Sequence, residues 1–427
     1  MNEVILKESE AILDEFDRLG KFGNKYDVML PVVESRILSR IHELAGSIPR
    51  LQKPKNKDEL IQAELKRRLE GDAFSLEQRL NPKPYDFDTV VSIYGIPLED
   101  IKSLRGWLET NRDGTLESID RLYNTKNIQG RELGLSLDVP SVRRQSEEFA
   151  SVHVQKYHRI LSRLLHQLTG VGDPLRDIDV VATNNPRSYF NTITRTLAIG
   201  IPAICTTTED GSLSINEREL ITLYGHEGMG HALNQVLTQN GGLPSFLTKP
   251  AGLTTATAES VAQFYQNVIF EDLRNSPETQ KALGIEHNFE EIYTDSRDIA
   301  QLREFQNRLS QYAITVLANR DLGDPTDPKV CAEKVRILNE VALDQSSPFH
   351  FVEKNRNSFD SEGNLDPCVV KELVYCAQPI QRALEVFASQ GVSYEGEARS
   401  KVDDTFLRGF WTPVGFVDNA RLRAEEV

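Results

Sequence analysis

Long apolar runs are missing from this chain of 427 residues. No stretch approaches 18 consecutive apolar residues, so nothing reads as a membrane-spanning helix. Surplus positive charge is missing too. Lys and Arg total 49 against 64 Asp and Glu, a net charge of −15, which argues against nucleic acid or anionic lipid as a main partner. The one basic patch, Lys53, Lys55, Lys57, Lys66, Arg67 and Arg68, is diluted by Asp58, Glu59 and Glu64 and reads as a solvated helix face. Glycine (26) and proline (19) are too few for a fibrous or disordered chain. Cysteine is scarce: Cys205, Cys331, Cys368 and Cys376 form no CxxC pair. The opening Met1–Glu8 lacks a basic segment followed by an apolar one. The expectation is therefore no secretory signal, reduced thiols and a cytoplasmic location.

What is present is mostly helical periodicity. Helices are expected over 4–20, 28–46, 57–80 and 97–124, the last from Ile101, Leu104, Trp107 and Leu108. A longer one starts at Pro140-Ser141, carries Phe149, Val152, Ile160, Leu164, Leu165 and Leu168, and closes at Gly170. Strand signals are confined to Asp177–Thr183, Ala198–Thr208 and Ser212–Ile215, with Asp210-Gly211 as a hairpin turn between the last two. Pro202 demotes Ala198–Thr208 to a sheet edge or a bulge.

Asn216 followed by Glu219 predicts a capping box, opening a helix that runs to about Thr238 and stops at Asn240-Gly241-Gly242. Val261, Phe264, Tyr265, Val268 and Ile269 predict another helix over 254–274. Asp327-Pro328 and Asp366-Pro367 read as helix starts. The fold class expected is mainly α with a small β-sheet, an active-site helix lying next to an edge strand. The chain reads as a single helical domain over 1–427, with a division into a helical lobe (1–170) and a second lobe (171–427), which holds the motif described next, left open.

The chemistry is concentrated in Tyr224-Gly225-His226-Glu227-Gly228-Met229-Gly230-His231. The motif is HExxxH, one residue longer than the HExxH of zinc peptidases. Two imidazoles on one face hold zinc, and a carboxylate beside the ion takes a proton from water. At 100° per residue, positions five apart lie about 140° apart around an α-helix. His226 and His231 therefore need a π-type distortion to meet. Gly228 and Gly230 are expected to supply the backbone freedom for it. His42-Glu43 lacks a second histidine and carries no such weight.

A third ligand is expected at Glu259, in Thr257-Ala258-Glu259-Ser260-Val261-Ala262, where small neighbours let two helices approach closely. Glu271 and Asp272 are weaker candidates. One zinc per chain, held by His226, His231 and Glu259 with a fourth position open for water, is the expected cofactor site. Glu227 is the expected general base.

HExxxH with a distal glutamate resembles dipeptidyl peptidase III. Gly241-Gly242-Leu243-Pro244, Gly252-Leu253 and Glu259-Ser260-Val261-Ala262 bring the chain nearer to two other groups. One is the microtubule tyrosine carboxypeptidases, with HExxxH and a Gln-Glu-Gly-Leu-Ala stretch. The other is a bacterial metallopeptidase family whose core reads HEGxPGHH followed by Glu-Gly-Trp-Ala. Tyr375-Cys376-Ala377-Gln378-Pro379-Ile380-Gln381 resembles that family's Tyr-x-x-x-Pro-Gly-Gln. The motif here is one residue shorter, Ala232 replaces the second histidine of the doublet, and Ser260 replaces glycine. The resemblance covers about 200–270, faintly to about 390, and implies a zincin-like zinc metallopeptidase of exopeptidase, carboxypeptidase-like type.

Tyr375 is a candidate to stabilise the oxyanion, with Tyr312 and His350 as alternatives. Arg303, Arg382 and Arg408 are candidates to grip a terminal carboxylate. Ala198–Thr208 is a candidate edge for a peptide to add to. His153, His158, His166 and His287 have no partner motif. A peptide or small amide is the expected substrate. A zinc hydrolase of a non-peptide amide and a non-catalytic binding protein on a zincin fold are the alternative readings.

Overall fold

The computed structural model describes residues 3–22, 30–81, 86–128, 133–134, 140–169, 175–207, 212–250, 253–344, 346–355, 359, 364 and 378–426. The fold is mainly helical with a few short strands in two small sheets. Several helices begin where the preceding side chain satisfies an otherwise orphaned backbone N–H group. Asn56 accepts from the Glu59 N–H ahead of Lys57–Leu80, Asn216 from the Glu219 N–H ahead of Glu217–Leu223, and Asp327 from the Lys329 N–H ahead of Pro328–Asn339. Glu3–Phe22, Leu30–Ser47, Leu98–Ile128 and Pro140–Thr169 occupy the other expected helical stretches. Among these described residues no helix is long and apolar enough to cross a membrane. Asp366-Pro367, the turn at 208–211 and Gly170 lie outside the described residues.

Two main apolar cores organise the described residues, with a minor cluster of Leu108, Phe305 and Val341 beside them. The larger joins Ile37, Leu69 and Leu161 to Ile199, Leu233 and Phe270. The smaller joins Val90 and Leu104 to Ile314, Leu317 and Leu338. Each core draws on residues from both sides of position 170. Phe289–Ala318, a 30-residue helix not foreseen from the sequence, packs against Leu98–Ile128 and Thr254–Arg274. Its last carbonyls accept from Lys334, whose ammonium reaches the oxygens of Val316 (3.0 Å), Leu317 (2.6 Å) and Asn319 (3.2 Å).

The strands depart from the expectation at one place. Ala198–Thr208 is not a continuous strand. Thr196–Gly200 is followed by a short helix, Ile201–Ile204, and then by Cys205–Thr207. Pro202 sits in the first turn of that helix, where its missing N–H costs nothing. Both strand segments are central, not edge. Thr196–Gly200 lies between Asp179–Thr183, its parallel partner, and Tyr189–Asn191, its antiparallel partner. Cys205–Thr207 lies between Leu133–Gly134 and Leu213–Ile215, the latter completing the expected hairpin pairing with Cys205 opposite Ile215. The edge that packs against the HExxxH helix is Tyr189–Asn191.

Candidate metal centre

From Glu217 to Gln239 the chain runs as one rod of three parts. Glu217–Leu223 is α-helical, Tyr224–Leu233 is a π-helix of 10 residues, and Asn234–Gln239 is α-helical again. An i→i+5 ladder stacks residues five apart, as an α-helix stacks residues four apart. Burial follows that period. Within Tyr224–Leu233 every residue is buried except His226 and His231. Tyr224 and Met229, also five apart, both enter the larger core. The rod ends at Asn240, and Gly242 beyond it takes a left-handed φ of 62°.

The glycines have a different reason from the one expected. Neither Gly228 nor Gly230 has a positive φ. The π-helix instead lies against Thr254–Arg274 so closely that side chains do not fit between them. A Cβ on Gly225 would fall 2.9 Å from the Gln266 Cα, and one on Gly230 would strike Ala262. Gly228 faces the Tyr224 ring, where a Cβ would sit at 3.3 Å. This close approach brings Glu259, in the second turn of Thr254–Arg274, to the two histidines.

His226 Nε2 lies 3.4 Å from Glu259 Oε2, and His231 Nε2 lies 3.5 Å from Glu259 Oε1. The two imidazoles meet edge to face with centroids 5.0 Å apart. One donor atom from each of the three residues lies within 4.8 Å of the others. Two ligands at zinc distances of about 2.0–2.1 Å and a tetrahedral angle are about 3.3–3.4 Å apart. The two nitrogen, one oxygen donor set, its spacing and its partial exposure to solvent fit one zinc ion with an open position. His226 Nδ1, on the ring's other side, is buried without a partner among the described residues.

The electrostatics of the three groups are mutual. Burial raises the Glu259 carboxyl, but hydrogen bonds from His226 and His231 outweigh it and hold it well below the usual carboxylate range. Burial lowers His231, but the hydrogen bond and charge of Glu259, with the charge of Glu227, raise it above the ordinary imidazole value. The pocket is electron-rich and attracts protons, so a metal must displace them to bind. Glu227 is 8% exposed. Its carboxylate has no hydrogen-bond partner among the described residues.

His226 opens into a cleft of about 1170 Å³. Its floor includes Ser260, Gln263 and Asn267 of the Glu259 helix, and its wall is the polar face of Phe289–Ala318. Arg303 lines it; Arg382 pairs with Asp100 at 2.8 Å and Arg408 with Asp404, both away from it. Tyr312 and His350 are not among its lining residues. Tyr375 lies outside the described residues. Glu271 accepts from the Tyr293 hydroxyl at 2.5 Å, and Asp272 pairs with Arg399, so both are engaged elsewhere. His158 bonds the Tyr224 hydroxyl at 3.0 Å, a contact to the π-helix that the sequence did not reveal. Sequence reasoning also missed Arg297 and Arg308 in the cleft wall. Their spacing with Gln301 and Glu304, along one face of a long helix, was the available signal.

The Asp272–Arg399 pair belongs to a buried lattice that fixes the Glu259 helix. Tyr265 and Tyr394 donate to Asp403 at 2.6 and 2.7 Å, and Arg399 grips Asp272 through both terminal nitrogens. Phe264 meets Phe406 edge to face, and Phe406 packs tilted against Phe416, with centroids 5.7 and 5.3 Å apart. Such pairs contribute about 0.5–1.5 kcal/mol each beyond their buried area.

No protein-family model matches this chain, and a search of curated proteins finds no match. A solved structure described as "the putative lipoprotein from Colwellia psychrerythraea" aligns over 92% of this chain and 67% of its own, at 11% identity and a TM-score of 0.45. A likeness at that level bears on neither fold nor function.

Proposed function

We propose that this protein is a zinc-dependent hydrolase of peptide bonds. The observation that carries the reading is the convergence of His226, His231 and Glu259 on one point, with the buried, unbonded carboxylate of Glu227 next in sequence to the first ligand. His226, His231 and Glu259 would hold the ion. When bound, zinc polarises a scissile carbonyl and acidifies water at the open position. Glu227 accepts the proton as water attacks and returns it to the leaving amine, which a free, desolvated carboxylate is suited to do. The cleft beside His226 has room for several residues of extended chain and opens on donors along the Glu259 helix. Exopeptidase action, the direction implied by the resemblance to carboxypeptidases, is part of this proposal.

The test pairs zinc content with turnover in Glu227→Gln. A mixed-peptide cleavage screen supplies the substrate. The glutamine keeps size and hydrogen bonding but removes basicity, so zinc should stay near the wild-type level. Turnover should drop by roughly 10²–10⁴ with KM little changed. Retention of more than about a tenth of the activity rejects Glu227 as the base. Loss of zinc together with activity makes Glu227 a ligand.

A further inference from the structure

The protein carries a net charge of −15, yet the cleft beside His226 is positive. Four arginines line it, Arg121, Arg297, Arg303 and Arg308, against two acids, Asp298 and Glu304. Two of the arginines are neutralised in place. Arg121 holds Asp298 through two hydrogen bonds of 2.6 and 3.0 Å. Arg308 holds Glu304 at 3.0 Å while stacking on Trp107 at 4.3 Å. Arg297 and Arg303 remain. Arg297 lies 5.8 Å from the centre of the Tyr293 ring, and neither has an acidic partner among the described residues. Both are exposed, on a helix whose other face is buried.

Two uncompensated guanidinium groups in an otherwise acidic protein concentrate the local field and draw anions into a concave site. Guanidinium binds carboxylate through two parallel N–H···O bonds, a fit that neutral chains do not offer. We propose that the cleft selects a chain bearing carboxylates, and that Arg297 and Arg303 bind them. This rests on the reading of the site as a peptidase centre and adds the substrate class to it. The carboxylate is either the chain terminus or an acidic side chain, and the two sources are separable.

The test is direct binding, independent of turnover. The protein carries Glu227→Gln, and the probes are fluorescein-labelled hexapeptides followed by anisotropy. The parent probe is Ala-Glu-Ala-Glu-Ala-Leu with a free terminus. Its companions are the amidated form, the form with Gln for Glu, and the form with both changes. The parent should bind at least about tenfold more tightly than the doubly changed probe, the worth of one charge-assisted contact. Affinity lost on amidation alone assigns the terminus; affinity lost on the Gln exchange alone assigns the side chains. Arg297→Ala with Arg303→Ala should erase the preference. Arg408→Ala, which removes one such charge outside the cleft, should leave it, whereas Arg297→Ala or Arg303→Ala alone, the same charge change inside it, should weaken it. The preference should shrink as salt rises.

Equal binding of all four probes, or a preference that survives the double substitution, overturns the proposal. If no peptide is cleaved while the preference and its arginine dependence persist, the peptidase reading fails and this one stands. Cleavage without preference gives the reverse.

Discussion

Gly230 and Ala262 are in backbone contact: a Cβ built on Gly230 would lie 2.3 Å from the Ala262 Cα and 2.6 Å from its Cβ. The π-helix and the Glu259 helix meet there, one residue before His231 and three beyond Glu259. The separation of these helices sets the distance from Glu259 to His226 and His231.

Gly230→Ala is therefore expected to force the helices apart, because the obstacle is backbone and cannot rotate away. Overpacking of this kind costs about 1–3 kcal/mol, and zinc affinity should fall with it. Gly106→Ala is the control, in a helix where an added Cβ meets nothing within 4 Å. It should stabilise by about 0.5–1 kcal/mol through helix propensity alone. Denaturant unfolding and zinc titration of both variants check this. Unchanged zinc affinity in Gly230→Ala would show that the close approach does not position the ligands.

Local signals in the sequence were legible where the physics is local. The N-cap at Asn216 and the helix 254–274 appear where the pattern placed them, but the box is half-made: the Asn216 N–H donates to the Ile204 carbonyl at 2.8 Å instead of to Glu219. The i,i+5 misfit of His226 and His231 led directly to the π-helix. Non-local features were not legible. Gly228 and Gly230 carry no mark of the helix they pack against, so their small size read as backbone freedom. Ala198–Thr208 read as an edge because Pro202 interrupts it. Edge or centre is decided by partners such as Asp179–Thr183, distant in sequence. Phe289–Ala318 went unrecognised because the face lining the cleft is polar, which dilutes the apolar period.

Removal of Arg399 tests the lattice behind Glu259. Asp272 has a side chain 1% exposed and depends on Arg399 for its pairing. Arg399→Ala leaves a buried carboxylate without its cation, which typically costs about 3–5 kcal/mol. Arg399→Ala combined with Asp272→Asn should recover part of that loss. Chemical denaturation of the two variants decides it. A cost below about 1 kcal/mol for Arg399→Ala, within the range of a surface pair, would place the lattice outside the stability of this helix.

Lys334 gives the cleft-wall helix a pH dependence. Burial pushes its ammonium down to about 8 from an ordinary 10.5, against smaller opposing effects of Cys331 and Asp324. Below pH 8 folded and unfolded chains both hold the proton, and the folded chain bears the cost of the buried charge. Between about 8 and 10.5 only the unfolded chain holds it, so this group's contribution to stability rises with pH. The stability difference between wild type and Lys334→Met should shift toward wild type across that window. It should stay flat from pH 6.5 to 7.5. Unfolding curves at four pH values measure it, and a shift in the opposite direction would refute the assignment.

The central claim is that His226 and His231, five residues apart, share one zinc ion with Glu259. The measurement is metal stoichiometry on purified protein, followed by zinc K-edge absorption on wild type and Glu259→Ala. The expected result is one zinc per chain with two imidazole nitrogens and a carboxylate oxygen. In Glu259→Ala the protein should remain folded with sharply weakened affinity. A wild-type protein that binds no transition metal, even after zinc is added, would contradict the account.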